Sequence, residues 1–313
     1  MSRAMSRRMR PHRRFTLGVA SCNTVNMSIH TWWIGARPRT LPAAVVPVAV
    51  GVAAGSATGE ISWWRAVVAL VVSLALQVGV NFANDYSDGI KGTDDDRTGP
   101  LRLVASGTAR PGQVRAAAGI AFGCAALAGV IAAASTSWWL LAIGAASIAA
   151  GVFYTGGPRP YGYLGLGEVF VFTFFGVVAT CGSAFVATGA INARAALASI
   201  PVGLLAVALL MANNLRDIPS DARAGKRTLA VRIGDRRMRA VFVATFVVTA
   251  GTVALVATIA PWAMLALAGV AMAIRPVSAV VRGAQGSDLI AVLEGTAIVQ
   301  VFTGALLVVG LLI

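Results

Sequence analysis

Residues 81–97 read Asn81-Phe82-Ala83-Asn84-Asp85-Tyr86-Ser87-Asp88-Gly89-Ile90-Lys91-Gly92-Thr93-Asp94-Asp95-Asp96-Arg97, and residues 213–221 read Asn213-Asn214-Leu215-Arg216-Asp217-Ile218-Pro219-Ser220-Asp221. Each string closes a long apolar stretch. Asn84-Asp85-x-x-Asp88 and Asn213-Asn214-x-x-Asp217 are nearly the same motif, 129 residues apart. On a helix, residues three and four apart share a face, so Asn84 and Asp85 both pair with Asp88, and Asn213, Asp217 and Asp221 form one row. Pro219 removes a backbone donor between the last two. A break or a kink is therefore expected there, which would leave Asp221 placed by a turn.

Outward from these strings the chain is apolar. Of 313 residues, 57% are hydrophobic and 12% charged, against about 25% charged in a soluble domain. A membrane helix needs roughly 17–25 mostly apolar residues. Nine stretches meet that description: Leu41–Ala57, Trp63–Ala83, Val114–Ala134, Trp138–Tyr154, Leu166–Ala187, Ala195–Asn213, Ala240–Ala260, Trp262–Val281 and Leu289–Ile313. The fourth is short, and Arg275-Pro276 interrupts the eighth. Trp63, Trp64, Trp138, Trp139 and Trp262 stand at span starts, where interfacial anchors belong. The expected fold is all-α: a polytopic bundle of nine transmembrane helices over residues 31–313, with two repeats offset by four helices. A basic, disordered tail over residues 1–30 precedes it.

The net charge of +14 is explained by topology. All but Arg65 and Arg194 of the 26 Lys and Arg residues fall in the tail or in segments on the same side of this nine-span arrangement. Such residues collect on the cytoplasmic side. The N-terminus and both Asp-rich strings are then cytoplasmic, and no nucleic-acid role is needed. The Arg-rich tail has no apolar core of a secretory signal, and Met27 is the expected native start. Cys22, Cys124 and Cys181 have no metal-ligand spacing and read as small apolar fillers. His12 and His30 both precede the first span, which argues against a histidine metal site or a Ser/His triad within the membrane.

Clustered carboxylates repel one another, and a charge at the bilayer centre costs roughly 2.5–3.5 kcal/mol. Carboxylate and amide oxygens are the ligands that Mg²⁺ prefers. Each string is followed by basic residues, Arg97 and Arg102 in one case and Arg223, Lys226 and Arg227 in the other. Two acidic and two basic patches on one side form a receptor for a metal-bridged diphosphate.

The pattern resembles the UbiA superfamily of intramembrane aromatic prenyltransferases, which carry an Asn-Asp-x-x-Asp type motif after helix 2 and an Asp-x-x-x-Asp motif after helix 6. Four strings carry the resemblance: Ala36–Ala43, Asn84–Gly107, Tyr154–Phe172 and Asn213–Gly234. The last three helices match in hydropathy alone. Within the superfamily the strings look most like the branch that prenylates 1,4-dihydroxy-2-naphthoate for menaquinone synthesis. The resemblance implies an enzyme of the bacterial cytoplasmic membrane that joins a prenyl diphosphate to that acceptor, with loss of pyrophosphate and CO₂.

It also implies roles residue by residue. Asn84, Asp88, Asn213, Asp217 and Asp221 are expected as metal or diphosphate ligands, with Asp85 as a helper. Asp94 holds the outer acidic position of the first motif, in a register that the run Asp94–Asp96 leaves open. Arg97, Lys226 and Arg227 are candidate phosphate clamps. Asp88 and Asp217 carry turnover. The ring of Tyr154 is placed to stabilise the allylic cation. Glu168, an acid opening an apolar span, is placed to orient or deprotonate the acceptor. Glu294 lies outside the matched strings and is expected in a structural polar contact. Two readings compete: a branch using another acceptor such as 4-hydroxybenzoate or homogentisate, and an anion transporter. Inverted repeats would put an odd number of spans between matched motifs; here four separate them.

Overall fold

The computed structural model describes residues 28–94 and 99–313. The readings that concern the tail, with His12, Cys22 and Met27, and those that concern Asp95, Asp96 and Arg97 lie outside the described residues. Among the described residues all regular structure is helical.

Helix α1 (Ile29–Ala36) starts at Ser28, whose hydroxyl accepts from the Thr31 N–H. It ends at Arg37, a non-glycine residue with φ 54°, and a 3₁₀ turn over Pro38–Thr40 leads into α2 (Pro42–Gly55), bent 54° from the segment before it. Then follow α3 (Trp63–Ile90), α4 (Pro111–Ser135), α5 (Leu140–Phe153) and α6 (Gly167–Val171). A π turn over Phe172–Val178 joins α6 to α7 (Ala179–Thr188). The remainder is α8 (Ala193–Arg223), α9 (Leu229–Ile233), α10 (Asp235–Ala257), a 3₁₀ turn (Pro261–Leu265), α11 (Ala266–Ala271), α12 (Ile274–Val281) and α13 (Asp288–Leu312).

Among the described residues six helical runs are long and apolar enough to cross a membrane: α3, α4, the α6–α7 run, α8, α10 and α13. Two bent pairs raise the number to as many as eight. The expected eighth span is one of these pairs, bent by 42°. Pro276 cannot donate to the Met272 carbonyl, which contributes to the break. The expected fourth span coincides with α5. At 14 residues it is about 21 Å long, short of the ~30 Å hydrocarbon core. The five tryptophans expected as interfacial anchors are all exposed.

One local expectation is corrected. α8 runs unbroken through Pro219 to Arg223. The lost backbone bond is a local defect that the surrounding helix absorbs, and the Ser220 hydroxyl donates to the Asp217 carbonyl at 3.0 Å. Asp217 and Asp221 are therefore one helical turn apart on one helix.

α8 is the most enclosed of the six long helices, packed by α2, α6, the π turn, α7, α10 and α13. Glycines permit the closest approaches, as expected where helices must associate without an aqueous driving force. A Cβ at Gly176 in the π turn would lie 2.6 Å from the Gly203 Cα of α8. A Cβ at Gly51 in α2 would strike the Thr180 carbonyl of α7. At the end of the bundle away from the Asp strings, Val48, Val52, Ala66, Ala69, Ala132 and Val186 form a buried apolar cluster. Glu294 of α13 pairs with Arg39 at 2.7 Å, tying the last helix to the turn after α1.

Gly176→Val pushes a side chain against backbone that cannot rotate away. It is expected to lower the thermal midpoint in detergent by an amount equivalent to about 2–3 kcal/mol. Gly123→Ala, with open space around its Cβ, should leave the midpoint unchanged or raise it.

Candidate functional site

The C-terminal turns of α3 and α8 bring the two Asp strings to the same end of the bundle, and the turn after α8 joins them. Lys226 Nζ lies 3.3 Å from Asp88 and 3.7 Å from Asp221. The chain reverses there because the Lys226 N–H donates to the Asp221 carbonyl at 2.8 Å and Gly225 adopts φ 71°. Tyr163, from the loop before α6, donates its hydroxyl to Asp88 at 2.9 Å. The ammonium groups of Lys91 and Lys226 lie 4.9 and 5.4 Å from the centre of its ring. Burial first, then the Asp88 carboxylate, raises the Tyr163 phenol, so it stays protonated and donates. Burial lowers the Lys91 ammonium, with Lys226 adding to the effect and Asp88 opposing it. Lys91 donates to the Thr155 carbonyl at 2.6 Å, and the Thr155 hydroxyl donates to Asn84 Oδ1 at 2.8 Å.

The second string is held by its own arginine. Arg216 meets Asp217 through Nε at 2.7 Å and Nη2 at 2.9 Å, and Nη2 also donates to Asn213 Oδ1 at 3.0 Å. A two-pronged pair of this kind is among the stronger ionic contacts. Gly99 lies against the guanidinium, where a Cβ would be 3.3 Å from Arg216 Cζ. Nearby, Arg102 pairs with Asp94 at 3.2 Å.

These groups head a cavity of about 980 Å³ with mostly apolar walls. Asn84, Asp88, Asn213, Asp217, Tyr154 and Lys226 all line it. From Asp88 it follows one face of α3 to Ala69, a depth of about 28 Å at 1.5 Å per residue. Tyr154 belongs to an aromatic wall: its ring meets Tyr161 edge-on at 5.5 Å, and Tyr161 stacks on Phe170 at 3.9 Å.

Three expected residues stand elsewhere. Asp85 faces away from the cavity. Both its oxygens accept backbone N–H groups, from Leu103 at 2.9 Å and Val104 at 3.0 Å, so it holds the α3–α4 loop in place of a metal. Arg227 is exposed and off the cavity; its carbonyl accepts from Arg232. Glu168 is buried and is not among the cavity-lining residues; it accepts from Asn214 Nδ2 at 3.0 Å, and Asn214 lines the cavity. Asp221 touches the site through Lys226.

The donors present suit a hard divalent cation: carboxylates and amide oxygens from two helices. Among the described residues no three acidic, histidine or cysteine side chains converge on one ion position. However, the Lys226 ammonium between Asp88 and Asp221 shows that carboxylates of both strings approach a common positive charge. Tyr163, Arg216, Asn214 and Arg37 escaped the reading of the motifs. Arg216 had a signal in its place beside Asp217, and Arg37 in standing before Pro38. For Tyr163 nothing in the spacing pointed to Asp88.

Asp85→Ala is expected to lower the thermal midpoint by the equivalent of about 1–3 kcal/mol, the cost of leaving the buried Leu103 N–H and the half-buried Val104 N–H unpaired.

Known proteins share this chain's sequence over most of its length. The model of the UbiA prenyltransferase family fits residues 44–311. The chain is 46% identical over 270 residues to the 1,4-dihydroxy-2-naphthoate octaprenyltransferase of Mycobacterium tuberculosis, covering 86% of this chain and 92% of that one. It is 33% identical to the protein of the same description from Bacillus subtilis, with 90% and 92% covered. Among solved structures, a UbiA homologue from Archaeoglobus fulgidus bound to GPP and Mg²⁺ superposes with a TM-score of 0.63 at 16% identity, over 88% of this chain and 99% of that one. The helical bundle, the paired Asp strings and these matches establish that the chain belongs to the UbiA prenyltransferase family.

Proposed function

We propose that this chain transfers a polyprenyl group from its diphosphate to 1,4-dihydroxy-2-naphthoate, releasing pyrophosphate and CO₂ to give a demethylmenaquinone. The observation that carries the reading is the shape of the cavity. It has a charged head between α3 and α8 and a mostly apolar body about 28 Å deep. It therefore suits a molecule with an anionic head and a long apolar tail. The identity to naphthoate octaprenyltransferases over nearly their whole length supports the acceptor.

Asn84, Asp88, Asn213, Asp217 and Asp221 are the residues that would hold Mg²⁺, and Mg²⁺ so held supplies charge that stabilises the leaving diphosphate. Lys226 serves as phosphate clamp, with Arg37 and Arg102, which also line the cavity head. To do so, Lys226 exchanges its carboxylate partners for phosphate oxygens, which frees Asp88 and Asp221. Tyr163 keeps Asp88 oriented through that exchange. As the carbon–oxygen bond to the diphosphate lengthens, positive charge grows on the allylic carbon. The face of Tyr154 offers it a π surface, and the tight apolar wall excludes water that would capture it. Asn214, positioned by Glu168, is the polar group placed to orient the acceptor. We assign Arg227 to the outer electrostatic field that draws the diphosphate in, and Arg97 keeps its expected part as a phosphate clamp.

In the membrane, we infer that α5 also spans by inclusion of its flanking turns, which gives nine spans and makes α3 and α8 the matching members of two four-helix-offset repeats. The distribution of Lys and Arg supports placing the Asp end at the cytoplasmic face.

Purified protein supplied with octaprenyl diphosphate, dihydroxynaphthoate and Mg²⁺ should form a product with the mass of the decarboxylated adduct, together with pyrophosphate. 4-Hydroxybenzoate and homogentisate should give none. Asp88→Ala and Asp217→Ala should each lower turnover by at least about 10³-fold, on the scale of losing one electrostatic stabiliser, while remaining folded in membranes. Near-normal turnover in both would sink the assignment of the diphosphate site.

A further inference from the structure

α12 differs from its neighbours in direction and in its faces. It is bent 42° from the helical segment before it. Pro276 and Val280 are buried, and Pro276 packs on α13, 3.5 Å from where a Cβ at Gly295 would lie. From α10, the Arg239 guanidinium donates to the carbonyls of Val280 and Ala284, each at 2.8 Å. The helix is thus held by one side and by its C-terminal end, and its outer side has a fixed direction. Arg275 and Arg282 stand on that outer side, both exposed. They are seven residues apart, about two turns, and so share a face. Ser278 lies between them: its hydroxyl donates to the Arg275 carbonyl at 3.0 Å and accepts from Arg282 at 3.5 Å. Ile274 and Val281, also seven apart, form a second strip beside the arginines and are 73% and 68% exposed.

Among the described residues no carboxylate pairs with Arg275 or Arg282. The nearby acids are engaged elsewhere: Asp235 takes the Arg239 fork, and Glu294, next to Gly295, meets Arg39. The two arginines also end a bent helix pair that is apolar enough to cross a membrane. Arg275 sits about 10 Å along the axis from Arg282, within that pair. A guanidinium so placed extends along apolar surface to the headgroup layer. A basic strip alongside an exposed apolar strip matches a molecule with a phosphate at one end and acyl chains below it. A small soluble anion would engage the arginines and leave Ile274 and Val281 uncovered. We propose that the outer side of α12 binds an anionic phospholipid, its phosphate between Arg275 and Arg282 and its acyl chains along Ile274 and Val281. This site rests on the placement of the Asp end at a membrane surface, inferred above, and is independent of prenyl transfer. A lipid held there braces α13 through Pro276 and Gly295, and Ile290 and Leu293 of α13 line the main cavity.

Full-length protein is reconstituted in an equal mixture of phosphatidylglycerol and phosphatidylcholine and released into detergent, and the retained lipid is counted by native mass spectrometry. Wild type should retain phosphatidylglycerol in preference. An arginine near an anionic lipid surface is worth about fivefold, so Arg275→Gln combined with Arg282→Gln should reduce that preference by about tenfold or more. Arg110→Gln combined with Arg115→Gln removes the same charge from exposed positions at the start of α4 and should leave it within about twofold. The thermal midpoint of wild type should be higher in phosphatidylglycerol nanodiscs than in phosphatidylcholine ones, and the α12 double variant should lose that difference. Equal losses in the two double variants would reduce the effect to net charge and overturn the site, as would a wild type without preference. Inorganic phosphate that raises the midpoint in phosphatidylcholine nanodiscs as far as phosphatidylglycerol does would mark a soluble-anion site and overturn the lipid. If wild type shows no prenyl transfer while lipid preference still follows Arg275 and Arg282, the proposed function fails and the lipid site stands.

Discussion

A buried carboxylate must find a positive partner or a set of N–H donors, because desolvating it alone costs several kcal/mol. That requirement organises the Asp end of this bundle. Asp88 and Asp221 share Lys226, Asp217 takes the fork of Arg216, Asp94 meets Arg102, and Asp85 accepts two backbone N–H groups. The turn after α8, the loop before α6 and the loop between α3 and α4 are positioned largely by what those acids need. Fold and site are here one problem: removing an acid frees a loop, and removing a base leaves a charge without compensation.

The bundle was legible because lipid imposes long apolar runs, and because Asp placed at their ends conflicts with that rule. The pairing of the two strings followed from their likeness. What could not be read depends on direction around a helix and on distant loops. Asn84 and Asp85 are neighbours in sequence but about 100° apart on a helix. Which of them faces the cavity is decided by the position of Leu103 and Val104, more than a dozen residues further on. The expected break at Pro219 applied a local rule where the enclosure of α8 prevails. Tyr163 lies in a Gly- and Pro-rich loop whose course no periodicity describes. α5 showed a composition fit for a span and a length below it.

Small residues perform two tasks in this chain. At Gly176 and Gly203 they let backbones touch, which fixes the wall carrying Phe172 to Phe175. At Ala69 and Ala132 they line the cavity. In a chain so rich in alanine and glycine these roles look alike in sequence, and only the surroundings separate them: backbone in the first case, open volume in the second.

The place of Lys226 has a further consequence. Since its ammonium already sits between Asp88 and Asp221, the acids are never a bare negative basin waiting to be filled. On the proposed function, the centre would work as an ion exchanger, trading the ammonium for a cation of higher valence. In such a device a lone metal ion must displace a covalently tethered competitor. An ion arriving with an anion can offer that competitor a new counter-charge as it is displaced. Loading would then be cooperative between cation and anion, each helping the other past the tethered ammonium. The tether is one side chain on the turn that follows α8, so the strength of that cooperativity is set by the length and rigidity of a few residues outside either Asp string.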